Sequence, residues 1–229
     1  MNDTRRKFTR VAGALGLAAA FGSVPAFASD ASEAAQVVQK SQATLHAFEQ
    51  KKDMSEFRQM LGQAKGVLIF PKILKAGFVL GGSGGTGVLL VRDAQTGAWV
   101  GPAFYTMGSA SFGLQAGASS AEMVMLVHSQ KALESLFTSK LKLGGDASVA
   151  VWKSGMGASA ALGADFVAFS MVKGAFAGLA VDGSVLDVRQ SLNAAYYGRE
   201  VTPADILVKR DVSNPGATSL QHALKAASR

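Results

Sequence analysis

The chain has no cysteine, so no disulfide, thiolate metal site, thiol nucleophile or cysteine-anchored lipid can be part of its chemistry. Histidine is almost as scarce. His46, His128 and His222 are the three there are, far apart in sequence, and no run of carboxylates has calcium-loop spacing. This pattern names no metal and no cofactor. No uninterrupted apolar run reaches the ~20 residues of a membrane span. No repeat of fixed period is visible either, which sets solenoids and propellers aside.

What is present begins with a targeting pattern. Arg5, Arg6, Lys7 and Arg10 precede an acid-free apolar stretch, Val11 to Phe21, and Ala26-Phe27-Ala28 after Pro25 has the form of a signal-peptidase site. Residues 1–28 are therefore expected to be a removable export signal. Thr4-Arg5-Arg6-Lys7-Phe8 has the twin-arginine pattern of a route that carries folded proteins, with ordinary secretion as the alternative. The expected product is periplasmic or secreted, at the edge of a membrane rather than anchored in it.

Cleavage after Ala28 leaves 201 of the 229 residues, enough for one domain with a real core. It removes four cations and Asp3, lowering the net charge from +7 to +4. That balance is too weak for a nucleic-acid partner and suits anionic lipid headgroups through the summed field. Residues 29–212 are read as the domain and 213–229 as a tail, either a short helix or a disordered end.

Helical signals open the domain. Asp30 and Glu33 have capping-box spacing, with Val38, Ser41, Leu45 and Phe48 on one face; that stripe fits docking or a membrane surface. Asp53 and Glu56 start a second helix with Phe57, Met60, Leu61 and Ala64 facing a core. The period then shortens. Val67 to Phe70 is a strand stopped by Pro71, and Phe78-Val79-Leu80 and Val88 to Val91 are strands around a glycine-rich turn. Further strands are expected at 98–107, 111–116, 123–128, 147–153, 164–172 and 176–181, with one helix at 129–140. Asp182-Gly183 signals a hairpin to 184–188. Leu192 to Tyr197 is helical up to Gly198, and Thr202-Pro203 opens another short helix. The expected fold is α+β: a strongly curved antiparallel sheet or barrel-like core, N-terminal helices, one mid-chain helix and short C-terminal helices.

Two catalytic motifs match by spacing. Gly82-Ser83-Gly84-Gly85-Thr86-Gly87 fits G-x-G-x-x-G, but a strand follows where the dinucleotide fingerprint needs a helix. Gly81-Gly82-Ser83-Gly84-Gly85 fits the nucleophile elbow, and the missing helix counts against it as well. A hydrolase would have Ser83, His128 and an unidentified acid; no catalytic residue is assigned. Lys65, Lys72 and Lys75 surround Pro71 and bracket the glycines, either as a solvated face or as a phosphate-headgroup site.

A series of segments in order resembles the SYLF domain family. They are Ala64-Lys65-Gly66-Val67, Pro71 to Phe78, Gly81 to Gly87, Gly97-Ala98-Trp99, Pro102 to Tyr105, Ser111 to Gly117, Leu143 to Ser148, Lys173 to Gly178 and Asn193 to Gly198. One departure is Val151 to Gly155, where many relatives read Gly-Pro after the position of Ala150. The resemblance implies binding without catalysis: phosphoinositides for eukaryotic members, through basic residues near an N-terminal amphipathic helix, and actin for some. It points to Lys40, Lys51, Lys52, Arg58, Lys65, Lys72 and Lys75 as lipid-binding positions. An exported chain would meet actin only on reaching a host cell. The expectation is a non-enzymatic binder of anionic phospholipid; a secreted structural or host-interaction protein is the alternative.

Overall fold

The computed structural model describes residues 26–51, 55–77, 80–112, 117–138, 140–152, 161, 163–172, 175–176 and 181–229. Four long strands form its centre: β1 (Gly66–Gly77), β2 (Leu80–Arg92), β3 (Trp99–Phe112) and β4 (Gly117–Val127). Shorter ones flank them: β5 (Leu141–Lys142), β6 (Val149–Val151), β7 (Phe166–Val172), β8 (Ala175–Phe176) and β9 (Val185–Val188). The sheet runs β5-β9-β3-β2-β1-β4-β7-β6, with β8 paired to β7. All described pairs are antiparallel except β6 with β7. The result is an open, strongly curled half-barrel, in line with the α+β expectation.

Alternate residues of the central strands face two cores. One face carries Val67, Ile69, Val88, Leu90, Phe104, Val124 and Leu126. It is covered by α1 (Ala26–Glu49), α2 (Ser55–Gln63), α4 (Gln190–Tyr197) and α5 (Thr218–Ala227). The opposite face carries Leu68, Phe70, Leu89, Tyr105, Met123 and Met125. There it packs on α3 (Gln130–Thr138) and a π-helical segment, Asp205–Lys209. Burial on both faces explains why Val67 to Phe70 and Met123 to Val127 are continuous apolar runs rather than alternating ones. Tyr105 donates from its hydroxyl to the Leu136 carbonyl at 2.6 Å, fixing α3 against the sheet.

Several expectations change at this stage. Pro71 does not stop β1. The register shifts between Ile69 and Leu74 toward β2 and between Phe70 and Ile73 toward β4, so the residue without an N–H falls in a bulge where neither ladder asks for it. The glycine-rich segment is no turn either: Gly81 to Gly87 is strand, paired to β3 throughout. A Cβ at Gly85 would overlap the Lys72 carbonyl oxygen, and one at Gly87 the Ile69 carbonyl and the Phe70 ring. Close approach of the bulged strand accounts for these two glycines. Phe78-Val79, residues 113–116 and residues 177–180 lie outside the described residues.

Asp182 and Gly183 form the expected turn, with Gly183 at φ +78°, but the turn does not pair the strands expected on either side of it. Gly183 donates to the Leu143 carbonyl at 2.9 Å, and β9 joins β3 and β5 while β8 joins β7. The two-residue signal gives the turn and not the partner.

α1 begins at Ala26, so the expected cleavage point lies in its first turn. With helix continuing before Asp30, that residue has no cap to make. Glu33, the other half of the expected capping box, instead meets Arg189 at 3.3 Å. Val38, Ser41, Leu45 and Phe48 are all buried, so the stripe docks on the domain. The tail takes the helical alternative as α5, whose Leu220, Leu224 and Ala227 belong to the core.

Candidate anion-binding surface

Among the described residues the helices do not cover the whole length of β1 to β4. Beyond Thr86 on β2 and Glu122 on β4 the four strands continue through 71–77, 80–85, 107–112 and 117–121, rich in Gly, Ala and Ser, with Ile73, Met107 and Ala121 buried and Lys72, Leu74 and Lys75 exposed. Glu33, Lys40 and Thr44 share one edge of α1, being seven and four residues apart. That edge follows the border of the uncovered sheet. Arg189 joins Glu33 to Thr86, donating to the threonine hydroxyl at 3.0 Å, and Thr44 donates to Glu122 at 3.2 Å. Exposed Lys40 lies between these two contacts.

The register places chemistry in rows. Lys75 stands directly opposite Ser83 on β2 and Ser119 on β4, and Ser83 stands opposite Ser109 on β3. Directly opposed residues share a face, so Ser119, Lys75, Ser83 and Ser109 form one line across four strands. The Ser83 and Ser109 hydroxyl oxygens are 2.7 Å apart. On the other face Leu74 is 54 % exposed and lies opposite Gly84 and Ser120. A Cβ built at nearby Gly108 would meet nothing within 4 Å, so the surface there is open.

The charge of this end is one-sided. Between Glu56 and Glu122 the sequence holds one acid, Asp93, beyond the far end of β2. Asp93 pairs with Arg210, and bonds from Thr96 and Arg210 hold its carboxyl well below the usual range. The acids at the border, Glu33 and Glu122, are engaged with Arg189 and Thr44. Among the described residues neither Lys72 nor Lys75 has an ion-pair partner.

The sequence-predicted lysines are thus divided. Lys72 and Lys75 lie at the uncovered end, and Lys40 lies at its border on α1, which packs on the face of Thr86 and Glu122, opposite to that of Lys75. Lys65 precedes β1 at the opposite end, where its amide donates to the Val127 carbonyl at 2.8 Å. Lys51 is half-buried at the end of α1, Arg58 is exposed on α2, and Lys52 lies outside the described residues. The serine row was not anticipated. A period-2 reading puts Ser83 on one face of β2 but gives no register, and the row exists only across strands.

A hydrolase finds little support in this geometry. Ser83 is mid-strand rather than on an elbow. His128 follows the far end of β4, nine residues along the strand direction from Ser119, roughly 30 Å away. Burial holds its imidazole below the usual pKa, and its amide donates to the Asp165 carbonyl at 2.9 Å.

Comparison with known proteins gives the lineage. The family described as Ysc84, Las17-binding protein actin regulator, matches residues 108–227. The chain belongs to this SYLF-domain family. Protein YSC84 of Saccharomyces cerevisiae is 33 % identical over 174 residues, 73 % of this chain and 37 % of its own length. SH3 domain-containing protein PJ696.02 of Schizosaccharomyces pombe is 32 % identical over 165 residues, 69 % of this chain and 38 % of its own. Human SH3 domain-containing YSC84-like protein 1 is 29 % identical over 153 residues, 65 % of this chain and 44 % of its own. The chain therefore aligns with less than half of each of these relatives. Among the described residues of this SYLF-family chain, no helix is long and apolar enough to cross a membrane.

Proposed function

We propose that this SYLF-family protein is a non-enzymatic binder of anionic phospholipid, working in the bacterial envelope after export, and that the membrane meets the uncovered end of the sheet. The observation that carries this reading is an acid-free sheet end with two exposed lysines, Lys72 and Lys75, that have no ion-pair partner among the described residues, and Lys40 at its border. Ammonium groups without carboxylate competitors attract phosphate-bearing headgroups, each contributing ~1 kcal/mol near an anionic surface. The alternative attachment through the apolar stripe of α1 would require Val38, Leu45 and Phe48 to leave the core.

The test is co-sedimentation with phosphatidylcholine vesicles and with vesicles containing phosphatidylglycerol, at low and physiological salt. Retention on the anionic vesicles alone, weakening with salt, is the expected result. Failure to bind them at low salt removes the proposal.

A protein partner is the second reading, favoured by the family's description as Las17-binding. One stoichiometric protein retained by the purified chain, with no lipid bound, would decide for it.

A further inference from the structure

The row across the sheet end has an excess of donors. Two hydroxyls 2.7 Å apart satisfy one another only once, since one donates and the other accepts. The accepting serine keeps its own O–H for an outside acceptor, polarised by the bond it receives. Beside it the Lys75 ammonium carries three N–H donors and no acceptor, and Ser119 adds another hydroxyl on the far side. No carboxylate stands among the residues of this end to take these protons. Adjacent strands are ~4.8 Å apart, so the line from Ser119 to Ser109 crosses three gaps, roughly 14 Å. The part from Lys75 to Ser109 crosses two gaps, roughly 10 Å, and the long lysine side chain can reach a tetrahedral oxyanion resting on the serine pair. Ala121, opposite Ile73, and Gly85, opposite Met107, lie in the next row inward, and Gly77, Gly81 and Gly117 are paired in the next row outward. The inward row is buried, with Ile73 and Met107 in the second core, while the glycines of the outward row leave backbone for a ligand to rest on.

We propose that Lys75, Ser83 and Ser109 form a seat for a single phosphate group, taken as a monoester or diester, with Ser119 at the margin of the row. The ammonium neutralises its charge and the hydroxyls donate to its oxygens. The seat deepens the lipid reading by naming the headgroup contact, and it rests on that reading only for the phosphate's source in a membrane. Lys72, in the bulge and outside the row, contributes to the field but not to the seat.

The experiment compares inorganic phosphate, followed by amide chemical shifts, with phosphatidylglycerol vesicles, using the full-length protein. Lys75→Gln and the double variant Ser83→Ala with Ser109→Ala are each expected to weaken phosphate binding about tenfold or more, the scale of charge-assisted hydrogen bonds. Lys72→Gln, which removes a nearby charge but no donor of the row, should weaken it clearly less than Lys75→Gln, and Ser83→Thr with Ser109→Thr should retain it. The threonine pair, with thermal unfolding of every variant, separates lost donors from lost folding.

If vesicle and phosphate binding fall together in the alanine pair, the seat holds a lipid headgroup. Phosphate binding that depends on the serines, without any vesicle binding, keeps the seat for a free phosphate and removes the lipid reading. Vesicle binding indifferent to the serines, with no serine-dependent phosphate shifts, overturns the seat and leaves the lipid reading standing. Binding of neither probe removes both.

Discussion

Lys75→Gln and Lys65→Gln remove the same charge from two points on one extended segment, and the structure predicts unequal consequences for membrane binding. Ten residues separate them, so at ~3.3 Å per residue they lie roughly 30 Å apart. The Debye length at physiological salt is ~8 Å, so a membrane touching the sheet end lies more than three screening lengths from Lys65. At ~1 kcal/mol per cation near the surface, losing Lys75 should weaken vesicle affinity about fivefold. Losing Lys72 and Lys75 together should weaken it about 30-fold, and losing Lys65 should change it by less than about twofold. Titrating phosphatidylglycerol vesicles against each variant at fixed ionic strength measures the three values. Equal losses from Lys65→Gln and Lys75→Gln would mean that binding follows net charge alone, and the reasoning from position would be wrong.

Three other outcomes are expected. Gly87→Ala should lower stability by about 2 kcal/mol or more, because its methyl meets backbone that cannot turn aside, whereas Gly108→Ala should stay within ~0.5 kcal/mol; urea denaturation compares them. Leu224→Ala on α5 should cost about 2–5 kcal/mol by the same assay, since that side chain is fully buried. Burial lowers the pKa of His128 in the fold, so the unfolded chain takes up its proton first, near the ordinary value, as pH falls. Stability should therefore decline as pH falls below about 6.5, and His128→Asn should remove that part of the decline when melting temperature is followed from pH 7.5 to 5.

Much of the fold could be read from local pattern. Apolar periodicity marked the faces of α1, α2 and α3, and Ser129, the expected first residue of α3, caps a helix that begins one residue later, accepting from the Ala132 amide at 3.1 Å. Strand cores at 67–70, 88–91 and 123–127 were legible because two buried faces demand continuous apolar residues. Pairing was not legible. Pro71 reads as a stop because a bulge depends on both neighbours of β1, and Gly81 to Gly87 reads as a turn because glycine is neutral about extension until flanking strands impose it. The candidate site suffered most from this. Individual lysines could be named, but their division between the two ends of the sheet and the line from Ser119 to Ser109 are properties of register.

The layer over the first face is assembled from opposite parts of the chain. α1, from residue 26, rests on α4 and α5, whose last residue is 227. Closing such distant contacts is costly in chain entropy, and until they form the central strands lack their helical roof. During that interval the apolar side of the half-formed sheet is open to other chains, and a newly made molecule is most at risk of aggregation then. A cellular holding factor that recognises extended apolar strands would act in that window, and α5 would be the element whose arrival ends the need for it.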